Sequence, residues 1–395
     1  MKPTIRIAHL ADTHLAYSQH NILAPGTERN QRSVDVENAF VRVMDDILTR
    51  DVDLVVHAGD IFHHTRPSWG SVKFLIEQVS RLEAAGIPSV WIAGNHDTPR
   101  LRTSTSVYDL LRHVMREAVF VGGYDSEEFL FDDLDLMVHA IPHGAMTGDA
   151  PPLPVLSRKH RNLLMFHGMA PQMNIRGTEP GERMLAPEQL DEGADYIALG
   201  HVHLHTSPMP NAWYAGSTER FGFGDVDATP GYVIVTLGPK GTSPEVEHIE
   251  IPTRPVHIVR QVKGAGLPAR AVADLVLDRL HAIGNPEAMV QVNLVGLDRP
   301  TRREVERLVH QEADDLVWHL KMHVPPSVAA VTTGGEVSGA DLPTLDEMLT
   351  AFVAERFSTP EKQAFGEVFR ARAAAAIATA TASAAEQDAV AESAR

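Results

Sequence analysis

Five apolar runs in the first half of the chain each end abruptly in a polar cluster, and that repeated ending constrains the fold more than any other feature. Residues 5–11 run into Asp12-Thr13-His14, and residues 54–58 run into Gly59-Asp60. Residues 89–93 lead to Gly94-Asn95-His96-Asp97, residues 163–166 to His167-Gly168, and residues 196–199 to Gly200-His201-Val202-His203. Near-continuous apolar runs of this length predict strands covered on both faces. Helical patterns separate several of them, which predicts a layered α/β domain. Ligands bind beyond the carboxyl ends of the strands in such sheets, and all five clusters would lie there. The glycines within the clusters suit sharp exits and close backbone approach.

Chemistry then assigns roles. Convergence would gather seven oxygen and imidazole ligands and no sulfur: Asp12, His14, Asp60, Asn95, His167, His201 and His203. Two divalent cations side by side need a bridging anion, and the Asp60 carboxylate can supply an oxygen to each. Asp12, His14 and His203 would complete one site, and Asn95, His167 and His201 the other. Carboxylate, amide oxygen and neutral imidazole suit intermediate cations, Mn²⁺ foremost, with Fe or Zn as alternatives. Such a pair lowers the pKa of water and clamps the attacking and leaving oxygens around phosphorus, so the expected class is a binuclear metallophosphoesterase. His96 sits beside a ligand but would point elsewhere, as a candidate acid or transition-state stabiliser. Asp97 could orient His96 or a metal-bound histidine from behind. Taken singly the clusters have ordinary readings, since Gly-Asp and Asn are common turn residues. Their occurrence together, in this order, carries the assignment.

With these motifs the chain resembles the SbcD family of DNA double-strand-break repair nucleases, within the calcineurin-like metallophosphoesterase superfamily. The superfamily shares the Asp-x-His, Gly-Asp, Gly-Asn-His-Asp and Gly-His-x-His elements. The nuclease branch is marked by Gly59-Asp60-Ile61-Phe62-His63-His64-Thr65-Arg66-Pro67-Ser68. Related protein phosphatases carry Asp-Arg-Gly and Asn-His-Glu where this chain has His63 and Asp97. Residues 32–40 and 214–220 are also similar to the family. The resemblance implies that the seven ligands form the metal set, and that His63 and His96 assist phosphodiester cleavage and position the DNA phosphate. It implies manganese-dependent 3′-to-5′ exonuclease action on duplex ends and endonuclease action on single strands and hairpins. The implied partner is an SMC-like coiled-coil ATPase of the SbcC type, and the implied assembly is a homodimer paired through helices near residues 72–82 and 107–115.

The other histidines read differently. His9 and His57 lie inside the strand runs, so they are expected to be hydrogen-bonded packing residues. His113, His281, His310 and His319 fall on helical or strand patterns with no ligand partner at useful spacing. His64, His143 and His205 lie near the cluster loops and could contact substrate, as could Arg66, one of a local set with Arg29, Arg32, Arg100 and Arg102. A chain of 395 residues, 44% hydrophobic and 22% charged, is expected to be globular. No apolar run approaches membrane-spanning length and the first strand starts almost at once, so neither a membrane segment nor a signal peptide is expected. The absence of cysteine excludes disulfides and suits a reducing cytoplasm, nucleoid-associated by the resemblance. The net charge of −17 is discordant, because DNA binding usually shows a basic footprint. Weak DNA affinity of the subunit alone is expected, with a partner supplying the rest. Two rivals stand beside the nuclease: a phosphoesterase for nucleotides, cyclic nucleotides or phosphoproteins, and a non-catalytic scaffold on the same fold.

Composition shifts divide the chain into a nuclease domain over residues 1–252 and a small unit over 253–328. The small unit reads as strand 256–262, helix 268–283, strand 288–296, a helix from Thr301, and strand 316–324. Pro268 suits a first helical turn, and Thr301-x-x-Glu304 is a capping-box pattern. The resemblance implies an α+β capping domain over the cleft. Residues 329–340 read as a linker, and residues 341–370 as helices with Leu345, Met348, Leu349, Phe352 and Val353 on one face. In the family, helices here dock on the coiled-coil base of the ATPase. The alanine-rich residues 371–395 are expected to be frayed or to form a solvated helix.

Overall fold

The computed structural model describes residues 2–148, 152–171, 173, 183–190, 193–313 and 315–323, with 367, 370 and 372. The chain divides into two compact units, Met1–Pro325 and Pro326–Arg395. In the second unit the three described residues are helical. The linker at 329–340 and nearly all of the helices at 341–370 and of the tail at 371–395 lie outside the described residues.

The first unit begins with β1 (Ile5–Leu10), α1 (Gln31–Thr49), β2 (Leu54–His57), α2 (Trp69–Ala84), β3 (Ser89–Ile92), α3 (Val107–Val114) and β4 (Ala118–Val121). A second set follows: β5 (Glu127–Phe131), β6 (Leu136–Ala140), β7 (Arg161–His167), β8 (Tyr196–Gly200), β9 (Thr206–Met209) and β10 (Ala212–Tyr214). The chain then returns through β11 (Gly231–Leu237) and β12 (Glu245–Glu250) to the edge of the first sheet. The first sheet has the order β12-β11-β1-β2-β3-β4, and the second β5-β6-β7-β8-β10-β9. Strands β1 to β4 are mutually parallel, as are β6, β7, β8 and β10, so helices or long crossings must connect them.

The uninterrupted apolar runs follow from burial on both faces. On β2, Leu54 and Val56 enter the apolar layer between the two sheets, while Val55 faces the helices on the outside. On β3, Val90 and Ile92 join the inter-sheet layer and Trp91 faces the helices. Helix α1 covers that outer face with Val36, Phe40, Val43, Met44 and Ile47, all fully buried at helical spacing. Each such buried side chain contributes roughly 1.5–3 kcal/mol. Asn30 caps α1, its side-chain oxygen accepting the Arg32 N–H at 3.0 Å. The layered α/β architecture expected from the sequence is the one observed.

Residues 256–323 form a separate three-stranded sheet with its own apolar core. Its elements are β13 (Val256–Lys263), α4 (Ala269–Ile283), β14 (Met289–Val295), α5 (Arg299–Glu312) and β15 (His319–His323). The strands are all parallel and each connection runs through a helix, so this part is α/β rather than the α+β expected. Two local readings also change. Helix α5 is capped by Asp298, whose carboxylate accepts the Thr301 N–H at 2.8 Å, so Thr301 lies inside the helix rather than at its cap. Strand β15 starts at His319 rather than 316, because a turn closed by Leu316 N–H on the Ala313 carbonyl (2.9 Å) occupies the preceding residues.

Arg254 pins this small sheet to the larger body. Its Nε donates to Asp35 Oδ2 at 2.7 Å, its Nη1 to Glu287 Oε2 at 3.0 Å, and its guanidinium lies 4.3 Å over the Trp318 ring.

Candidate metal centre

All five clusters meet at the carboxyl ends of the strands, three from the first sheet and two from the second. The first two are laced together by backbone. Asp12 N–H donates to the Gly59 carbonyl (3.0 Å), His14 N–H to Asp60 (2.9 Å), Leu15 N–H to Ile61 (2.7 Å), and His63 N–H returns to Leu15 (2.9 Å). Holding the side chains inward strains the chain. Asp12, His14, Asp60 and His201 have φ of 53°, 49°, 55° and 101°, left-handed values that L side chains rarely adopt. Such conformations cost on the order of 1–3 kcal/mol each and persist where surrounding structure enforces them, commonly at functional sites. Two glycines leave room for the cluster. A Cβ on Gly59 would lie 2.3 Å from His167 Nδ1, and one on Gly94 would lie 2.1 Å from Asp60 Oδ1.

Asp60 is central. Its Oδ1 accepts the His96 N–H at 2.9 Å. Its Oδ2 stands 3.7 Å from His14 Nε2 on one side and 3.3 Å from His167 Nε2 on the other. Asn95 Oδ1 lies 2.9 Å from His167 Nε2 and 3.2 Å from His201 Nδ1. Both Asp12 oxygens accept the His201 N–H at 3.0 Å. Ligand atoms of Asp12, His14 and His203 lie within 4.8 Å of one another, as do those of Asp12, Asp60 and His167. The seven residues expected to gather are therefore gathered.

The donor set fits a pair of divalent cations. His14 Nε2 is buried without a hydrogen-bond partner, yet it faces the Asp60 carboxylate. His167 Nδ1 lies 2.8 Å from the Ala58 carbonyl, which orients Nε2 toward Asp60 and Asn95. Electrostatics agree that positive charge is wanted here. Burial would lower the His167 pKa, but the Asp60 and Asp12 carboxylates outweigh it and raise it to about 9. Burial likewise opposes His203, which the Asp225 carboxylate raises to about 9. Burial would raise Asp60, yet His167 and His14 hold it well below the ordinary carboxylate value.

His63 and His96 stack beside this group, with ring centroids 5.0 Å apart and planes at 19°. His96 Nδ1 lies 3.0 Å from the His63 carbonyl, and His63 Nδ1 lies 3.3 Å from His14 Nδ1. Asp97 holds the loops of the cluster from behind. It accepts Ile61 N–H and Phe62 N–H (both 2.9 Å), Gly94 N–H (3.2 Å) and the Tyr108 hydroxyl (2.8 Å), which ties the Asp60 turn to the Asn95 loop. His64 and Arg66 are exposed on the loop after Asp60. His143 is buried beside His167, with ring centroids 6.4 Å apart. His205 is stacked between Trp213 (5.1 Å) and His248 (4.4 Å), with Nδ1 3.2 Å from the Tyr214 carbonyl. Arg32 leaves the surface basic set. It is fully buried, 2.6 Å from Asp35 and 3.6 Å from Glu219, and so joins the two outlying stretches that carried the resemblance. His9 and His57 are buried packing residues as expected, on Tyr196 Oη (2.9 Å) and Thr13 Oγ1 (2.8 Å).

Sequence reading missed three contributors. Asp225 Oδ1 lies 3.3 Å from His203 Nδ1, Phe221 packs edge-on against His14 (4.7 Å) and His203 (5.1 Å), and Tyr108 holds Asp97. None sits in a ligand-like spacing, so no local signal marked them.

Comparison with known proteins agrees with this geometry. Residues 5–205 match the family described as calcineurin-like phosphoesterase. The chain is 30% identical over 245 residues to the DNA double-strand break repair protein Mre11 of Methanopyrus kandleri, covering 56% of this chain and 50% of that protein. It is 29% identical over 303 residues to the protein of that name from Haloferax volcanii (74% and 61%). With the one from Methanosarcina mazei it shares 29% over 306 residues (75% and 46%). The chain thus spans about half to three-fifths of the length of these curated relatives. Among the described residues, no helix is long and apolar enough to cross a membrane.

Proposed function

The chain belongs to the calcineurin-like phosphoesterase family, and on that premise we propose that it is a metal-dependent DNA nuclease of double-strand-break repair. One observation carries the reading: a single oxygen of Asp60 faces His14 and His167 at 3.7 and 3.3 Å, while its other oxygen is tied to backbone. That is the disposition a bridging carboxylate needs. Asp12, His14 and His203 would hold one cation, and Asn95, His167 and His201 the other, with Mn²⁺ the metal that best suits such donors.

A pair of divalent cations supplies Lewis acidity that activates water and neutralises charge developing on the phosphoryl oxygens. The chain's own residues do the rest. Asp97 fixes the two loops on which Asp60 and Asn95 ride. His96 and His63, stacked on each other beside His14, would hold the scissile phosphate and hand a proton to the leaving oxygen. The proposed reactions are 3′-to-5′ exonuclease action on duplex ends and endonuclease action on single strands and hairpins; the names of the relatives support a role in double-strand-break repair. The proposed partner is a coiled-coil ATPase of the SbcC type, and the proposed compartment is the nucleoid. Pairing of two copies through α2 and α3 is supported by exposed Trp69 (78%), Leu110 (38%) and Val114 (47%) on those helices. The three-stranded unit would cap the cleft.

The net charge of −17 favours a second reading, a phosphoesterase for small nucleotides or phosphoproteins. A panel of end-labelled duplex, hairpin DNA, cyclic nucleotide and phosphopeptide with Mn²⁺ separates the two. DNA is expected to be cleaved preferentially, and Asp60→Asn and His96→Ala are expected to abolish cleavage while keeping the far-ultraviolet spectrum. Preferential turnover of the cyclic nucleotide or phosphopeptide would replace the nuclease reading, and full activity of either variant would remove that residue's role.

A further inference from the structure

One short segment touches both the candidate centre and the small sheet. The turn Phe223–Asp225 follows Phe221, whose ring packs on His14 and His203. At its far end Asp225 places Oδ1 3.3 Å from His203 Nδ1, while Oδ2 accepts the Phe221 N–H at 2.8 Å. The carboxylate is thereby fixed at both oxygens, one by its own turn and one by the imidazole. Phe223 faces the other way. Lys321 Nζ lies 5.5 Å over its ring, and the His319 ring lies 6.4 Å from it, both on β15. The turn also lies against β13.

We propose that Phe223–Asp225 is a positioning link: Asp225 orients His203 so that Nε2 meets the cation, and Phe223 makes that orientation depend on where the three-stranded sheet sits. The inference rests on the metal-centre reading above. An imidazole that donates one N–H to a carboxylate is held in the tautomer and ring orientation a metal requires. Five residues would then suffice to pass a displacement of β15 to one ligand. Asp225 is a positioning residue, since it touches no reacting atom.

Calorimetric titration of the full chain with Mn²⁺ alone tests this without reading activity. Asp225→Ala is expected to weaken binding roughly 10–100-fold, with the chain still cooperatively folded in EDTA at a somewhat lower midpoint, since the capping bond to Phe221 is lost. Asp225→Asn, which keeps size but not charge, should fall between it and the wild type, and it decides the matter if the alanine variant fails to fold. Lys321→Ala, remote from the centre, is expected to weaken binding severalfold in the wild type and to add nothing in Phe223→Ala. Wild-type affinity in the folded Asp225 variants, or a Lys321 effect that is absent or independent of Phe223, overturns the link alone. A wild-type chain that takes up no Mn²⁺ overturns the metal centre and the link together.

Discussion

Lowering the pH from 7 to 5 should destabilise this protein through two buried histidines outside the proposed metal set. His9 and His57 are fully buried, and burial above all lowers the pKa of each to about 3, against 6.5 for an ordinary histidine. Each already uses one ring nitrogen, on Tyr196 or Thr13, and the other nitrogen has no partner. A second proton on His57 would therefore be a buried charge with no acceptor, and one on His9 would have the Leu199 backbone alone to receive it. The sign follows: the unfolded chain takes up protons first, so stability present above pH 6.5 is lost as pH falls toward about 3. Over the first 1.5 units below 6.5, at about 1.36 kcal/mol per unit, each histidine costs about 2 kcal/mol by pH 5, or about 4 together. His57→Phe isolates one of them. The ring can still stack on Trp91, where centroids are 5.2 Å apart and planes at 18°. The lost Thr13 bond costs about 1 kcal/mol at every pH. Urea unfolding in EDTA at pH 7 and pH 5 should show the acid loss about 2 kcal/mol smaller in the variant, since other titrating groups cancel in the difference. Equal acid losses in both proteins would refute the buried, neutral assignment.

Two further outcomes follow from the same structure. Arg254→Ala leaves Asp35 and Glu287 without their shared cation and removes the ring contact with Trp318, so chemical denaturation should show a loss of about 3 kcal/mol; an effect below the scatter would mean the small sheet is held elsewhere. Mn²⁺ at about a hundredfold excess over its dissociation constant should raise unfolding free energy by about 2.7 kcal/mol, and Asp60→Asn should lose most of that gain; an equal gain in the variant would remove Asp60 from the metal set.

Much of this was legible in sequence because strand burial and metal chemistry both leave local marks. Fully buried parallel strands must be apolar on both faces, so β2, β3, β7 and β8 announced themselves, and the residues that leave them carry the ligands. What stayed hidden depends on contacts between distant segments. Asp97 is adjacent to His96 in the chain, yet its four donors come from 61, 62, 94 and 108, which no spacing rule anticipates. Arg32 looked like surface charge until Asp35 and Glu219 enclosed it. Asp225 lies in an unremarkable Gly-Phe-Gly-Asp stretch, and only the fold brings it to His203. The small sheet's strand directions were equally out of reach, because alternation of elements does not by itself fix which neighbours pair.

The ligands ride on two sheets: Asp12, Asp60 and Asn95 leave the first, and His167 and His201 leave the second. Leu54, Val56, Val90 and Ile92 on one side and Leu163, Met165 and Ala198 on the other fill the gap between them. That greasy filling acts as a shim, and its thickness sets how far apart the two halves of the cluster stand. Shaving a methyl from it would retune the spacing of the two groups of proposed ligands from deep inside the protein, with no polar group altered.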